Sequence, residues 1–189
     1  MKYFPKKYYL AVIGLFIAFN AFATKIAPIS IEELLSDSSV VTIINVKQAS
    51  LSVDQYEVIY SGEKKNYLNH EATIVDPIKA GYADKTIKFL SRKPLLVNQE
   101  YLVFLNSSES GELFVAQAGF AAFEKTYISF AQGIKESIRV PSSYISLSKD
   151  VATTPGVTKL NEQSSYVWAE WLPFKKWMIS HLDSLHSVK

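Results

Sequence analysis

Residues 95–106 read LLVNQEYLVFLN. An apolar lead, Leu95 to Val97, gives way to Asn98-Gln99-Glu100, and then to Tyr101-Leu102-Val103-Phe104-Leu105. A half-buried strand alternates polar and apolar residues, whereas an unbroken apolar run bounded by turn formers reads as a strand covered on both faces. Tyr101 to Leu105 is therefore predicted to be a central scaffold strand. Further strand signals surround it. VVTIINV, Val40 to Val46, is β-branched at six of seven positions and is also expected to be covered on both faces. QYEVIY (55–60), EATIVDPIKAG (71–81) and KTIKFL (85–90) follow, with 61–66 as a turn or loop between the first two. Pro77 predicts a bulge or an edge position. After the central strand come the SSESGE turn, Leu113 to Ala116, and a further pair around Phe123 to Phe130. Five to seven strands separated by polar turns predict a meander that closes into a barrel or sandwich.

Two helices flank this region. In PISIEELL, Ser30 and Glu33 have the spacing of a capping box, and Ile31, Leu34 and Leu35 share one face. The helix is expected to stop near Asp37-Ser38. At the other end, Phe174, Trp177, Met178, His181, Leu182 and Leu185 form one helical stripe within LPFKKWMISHLDSL, and Pro173 suits a first turn. Between them, 142–165 is rich in Ser and Thr, contains Pro155-Gly156, and reads as a loop or tether.

The N-terminus differs from the rest. MKYFPKKYY carries Lys2, Lys6 and Lys7 and no acid; Leu10 to Phe22 is an apolar stretch too short to span a bilayer; Ala21-Phe22-Ala23 fits signal peptidase. This is the pattern of a secretory signal peptide cleaved between Ala23 and Thr24, with an uncleaved anchor as the alternative. Removing it takes three of the 20 bases and none of the 18 acids, so the net charge moves from +2 to −1. A near-neutral chain has no electrostatic basis for binding nucleic acid. Cysteine is absent, which excludes disulfides, thiol catalysis and Cys-ligated zinc. A cysteine-free exported chain fits a periplasmic or secreted bacterial protein.

SIEELLSDSS running into VVTIINV, TIVDPIKAG leading to TIKFL, and LLVNQEYLVFL together resemble bacterial secreted proteins with a netrin-module or metalloproteinase-inhibitor-like OB barrel. The resemblance covers about residues 30–117. It implies an OB-like barrel with a helix packed on it. It departs from the family pattern where glycine is expected before the Tyr strand, a place taken here by Asn98 or Gln99. The animal members inhibit proteases through an N-terminal Cys, which this chain lacks, so inhibition is not carried over.

Residue patterns for catalysis are weak. His181 and His186 lie on different helix faces, and His70 falls in a polar turn, so all three read as surface or helix-edge histidines and no metal is expected. No Gly-x-Ser-x-Gly elbow or Gly-rich phosphate loop occurs, and no cofactor is expected. Glu32-Glu33 suits a helix first turn. Tyr166, Trp168, Trp171, Phe174 and Trp177 crowd into twelve residues that hold every tryptophan of the chain. They read either as a cap on the barrel end or as a partner or membrane-surface contact, with Lys175 and Lys176 facing anionic lipid.

The expected organisation is a signal peptide (1–23), a mainly β, small OB-like β-barrel with an N-terminal helix (24–146), a tether (147–165) and a C-terminal amphipathic helix packed on the barrel (166–189). The expected role is a non-enzymatic binding module whose partner is a protein or glycan of the cell envelope. Loops 61–69 and 107–112 are placed at the rim of its binding face. Alternatives are membrane docking through the Trp-rich helix, or a hydrolase with an unfamiliar site.

Overall fold

The structure, a computed structural model, describes residues 28–57, 64–79, 85–130, 133–143, 145–147, 153, 156–158 and 165–187. The expected signal peptide and its Ala23–Thr24 cleavage site lie outside these. Strand β5, Glu100–Ser107, holds the centre. Tyr101 to Leu105 are all buried, as their unbroken apolar run requires. One edge of β5 pairs antiparallel with β2, Val40–Glu57, from Val40↔Leu105 to Asn45↔Glu100. Its other edge is shared. Tyr101 to Val103 pair with β7, Ala122–Phe130, and Leu105 to Ser107 pair with β6, Leu113–Val115.

That shared edge produces two structures. β2, β3 (Lys64–Lys79), β4 (Thr86–Ser91), β6 and β5 form a closed five-stranded barrel. Its pairs are antiparallel except β4–β6, which is parallel. This order, with its single parallel seam, is that of an OB-type barrel. β7 leaves the barrel and continues as β7-β8-β11-β10, through β8 (Gly133–Pro141), β11 (Tyr166–Glu170) and β10 (Val157–Thr158). Two short strands, β1 (Ile29–Ser30) and β9 (Ile145–Ser146), pair parallel beside them. From Val40 to Pro141 there are seven strands, β2 to β8, within the five to seven expected; the 142–165 segment, read as a tether, contributes two more, β9 and β10.

β2 and β3 are longer than their sequence signals. Gln55 to Glu57 belong to the same strand as Val40, and Lys64 to Asn66, read as loop, belong to β3. The two strands stay paired by absorbing register shifts at four places, one of them between Val41↔Lys79 and Thr42↔Pro77. A bulge beside Pro77 is the outcome expected of a proline in a ladder. Thr42 fills the bulge, its hydroxyl bonding the carbonyls of Ile43 and Asp76 at 3.1 Å each.

Helix α1, Ile31–Asp37, starts with the capping box read from the sequence: Ser30 N–H donates to Glu33 Oε2 at 2.9 Å and Glu33 N–H to Ser30 Oγ at 3.0 Å. Its end is closed from another element. Lys79 Nζ donates to the carbonyls of Leu35 and Ser36, each at 2.7 Å. A cation there satisfies otherwise unpaired carbonyls and opposes the helix dipole. Burial pulls the Lys79 pKa below the usual lysine range, against the nearby Asp37. Helix α2, Ala116–Gly119, is a single turn. Helix α3, Trp171–Ser187, packs on α1, β3, β8 and β11. It starts at Trp171 and not at 166. The preceding Tyr166–Glu170 alternates exposed, buried and half-buried side chains and pairs with β8, so it is strand.

The chain turns into β5 through Asn98, whose φ is +64°. Only Gly adopts this region at no cost, and Asn tolerates it better than other side chains. Asn98, and not Gln99, therefore occupies the place where the resemblance expects glycine. Its N–H donates to Val46 O at 2.7 Å, tying the turn to β2. Asn98→Gly is expected to change the urea-unfolding free energy little, and Asn98→Val to lower it by about 1–2 kcal/mol. Val103→Asp is expected to abolish folding, read as loss of the far-ultraviolet circular dichroism of strand, because an unpaired charge there costs several kcal/mol.

Candidate functional site

The parallel seam that closes the barrel is short. β4 and β6 meet at one register pair, Leu90↔Phe114. Running back along both chains from that pair, the backbones diverge. They leave an open groove of about 360 Å³, with Asn69, Thr86 and Lys88 on one side and Gly111, Glu112 and Leu113 on the other. That volume is at the small end of ligand sites.

The turn forming one wall is held rigidly. Ser108 N–H donates to Glu112 O at 2.8 Å, Gly111 N–H to Ser108 O at 3.0 Å, and Glu112 N–H to Ser108 Oγ at 3.0 Å. The Ser108 and Ser110 hydroxyls lie 2.8 Å apart, and Ser110 Oγ donates to Glu112 Oε2 at 3.1 Å. Gly111 supplies the positive φ, +84°, that the turn needs. On the opposite wall Lys88 Nζ lies 3.6 Å from Glu71 Oε2, an exposed pair that contributes little energy.

Inside β3 and β4 sits His70, which is 2% exposed. Sequence reading placed it in a polar turn at the surface. It lies instead on β3, opposite Phe89 and stacked on that ring at 5.2 Å. Ser91 Oγ donates to Lys93 O at 2.5 Å and lies 2.8 Å from His70 Nε2. With its one proton on Lys93 O, Ser91 can only accept from His70 Nε2–H. Nδ1 is then the unprotonated nitrogen, and it has no hydrogen-bond partner. The pair contains the residue types of a hydrolytic dyad but runs the wrong way. The histidine gives its proton towards the serine, both groups are buried, and among the described residues no carboxylate is hydrogen-bonded to the ring. Burial lowers the His70 pKa, outweighing the smaller raising effect of the nearby Lys93 backbone.

The aromatic cluster divides between two places. Trp171 and Phe174 are buried in the core, at 4% and 0% exposure, so they offer no contact surface. Trp177 packs on the same core, stacked between Phe174 at 5.9 Å and His181 at 5.5 Å. Tyr166 and Trp168 alternate outward on β11. Arg139, the register partner of Trp168, lies 4.3 Å above the Tyr166 ring and 3.5 Å from Glu124. Phe174, Trp177, Met178 and Leu182 of the α3 stripe thus face the protein, while Leu185 is exposed. Lys175, read as a lipid contact, is held by Asp76 at 2.6 and 2.8 Å.

A second charged cluster binds the barrel to its extension. Lys125 lies 3.0 Å from Glu100 and 3.5 Å from Glu136, beside Trp171. Burial works against its charge, yet the two glutamates hold its pKa above the usual lysine range. Both carboxylates serve one cation, which makes this a clamp between β5, β7 and β8. Among the described residues, no three His, Asp or Glu side chains converge on a metal position, and no helix is long and apolar enough to cross a membrane. The 61–63 part of the expected rim lies outside the described residues; Asn69 at its end lines the groove.

Searched against family models and against curated proteins, the chain matches none.

His70 gives a pH dependence with a definite sign. Its folded pKa is depressed below the ordinary value of about 6.5. The unfolded chain therefore takes up the proton first. The stability that neutral His70 contributes is present above about pH 6.5 and is lost as pH falls through the depressed folded pKa. In His70→Gln, which keeps a donor for Ser91, the urea midpoint is expected to change less between about pH 7.5 and 5.5 than in the unmodified protein.

Proposed function

We propose that the chain is a periplasmic or secreted, non-enzymatic binding module that engages a protein or glycan of the cell envelope at the groove between β4 and the Ser108–Glu112 turn. The observation that carries this reading is the short parallel seam. An OB-type barrel binds along its second and third strands and the loop between its fourth and fifth. Here those are β3, β4 and the braced turn, and the groove opens between them. Export rests on the charged start, short apolar centre and Ala-x-Ala end of residues 1–23. The near-neutral mature charge argues against nucleic acid.

The membrane-docking alternative loses support, because Phe174, Trp177, Met178 and Leu182 of α3 pack in or on the core. A lipid contact would have to use Leu172, Ile179 and Leu185 on the outer side of that helix.

The test is affinity capture from the native envelope with a C-terminally tagged chain, followed by mass spectrometry. The tagged protein is expected to begin at Thr24. A reproducible partner is expected to disappear with Lys88→Glu together with Glu112→Lys, and to persist with Tyr166→Ala together with Trp168→Ala. The reverse pattern would move the site to the outer face of β11.

A further inference from the structure

Resting on the groove reading above, we propose that the ligand is an extended polypeptide segment, which adds as a strand to the free edge of β4. β4 pairs with β3 from Leu68↔Ser91 to Thr73↔Thr86 without a register shift. On its outer side β6 joins only at Leu90. Among the described residues, Thr86 to Phe89 therefore have no strand partner on that side. Backbone donors and acceptors along a straight edge are a template for another backbone. Proteins that protect such an edge bend it with bulges or block it with proline. The shifts in this barrel fall between β2 and β3, and β4 has no proline.

The groove selects among occupants. Its far wall is the Gly111–Leu113 stretch. A second copy offering its own β4 edge would bring its own turn into the same gap. Sugar hydroxyls do not repeat with the two-residue period of a strand edge. The charges near the edge balance, Lys85 and Lys88 standing against Glu112 and against Glu71, which approaches Lys88 at 3.6 Å. The backbone edge, and not side-chain charge, therefore selects the ligand. The exposed side chains Thr86 and Lys88 point out of the sheet, where alternate residues of an added strand would meet them.

The test uses the full chain against a random-peptide library displayed on phage, with the enriched peptides then made synthetically. Enriched peptides are expected to shift the backbone amide resonances of Ile87, Lys88 and Phe89. N-methylating the amides on one edge of the peptide is expected to weaken binding about tenfold or more, as loss of one or two ladder hydrogen bonds requires, while the other edge tolerates it. Enriched peptides that shift Tyr166 and Trp168 instead, or that ignore N-methylation, would overturn strand addition. If no peptide is enriched but an envelope glycan shifts Asn69, Lys88 and Glu112, strand addition fails and the groove reading survives. If neither peptide nor glycan perturbs the groove, both fall.

Discussion

The structure depends on one strand having three partners. β5 lends one edge to β2 and divides the other between β6 and β7. Closure by β6 makes the barrel, and departure along β7 makes the extended sheet. Every backbone group of a strand so placed is wanted by a neighbour, and both of its faces are covered. Tyr101 to Leu105 can therefore carry no polar interruption, since a buried polar side chain without a partner costs more than the position can return. The pairing Phe104–Phe123, with ring centroids 5.5 Å apart, joins the barrel to the extension across this same strand.

The helices are seated by polar contacts from distant strands as much as by apolar packing. Lys79 at the end of β3 closes α1, and Asp76 three residues earlier holds Lys175 of α3. One short stretch of β3, bent by the bulge at Pro77, thus sets both helices. Lys125 does the corresponding work for the sheet, drawing Glu100 and Glu136 together. With α3 held in this way, its aromatic stripe is covered. Among the described residues, the outer face of β11 and the groove at the β4–β6 seam are left open to solvent.

His70 joins the core to that seam. It stacks on Phe89, whose strand forms one wall of the groove, and it carries an unpartnered nitrogen in the interior. A buried group that is stable only while neutral ties the strength of this side of the barrel to pH.

Local patterns were legible in the sequence wherever a residue's role depends on its near neighbours. The capping box of Ser30 and Glu33, the doubly buried runs at Val40 and Tyr101, the bulge at Pro77 and the stripe of α3 were all readable, because chain periodicity and hydrogen-bond spacing determine them. The mainly β barrel with a helix at each end followed from their order. Lys79 as a helix cap, Asp76 as the partner of Lys175, and His70 as a buried residue were not readable. Each depends on a contact between residues 21 to 99 positions apart. Tyr166 to Glu170 was misread because a short strand needs a neighbour to exist, and β8 supplies it. The groove was legible only in its rim loops. Its location follows from where two strands stop touching, and no single segment carries that information. Sequence by itself determined which segments must be buried and how they begin and end, because burial and capping are local demands. Only the tertiary structure decided which buried segments meet, which aromatics are core, and where an edge is left open, because pairing register is a property of two chains at once.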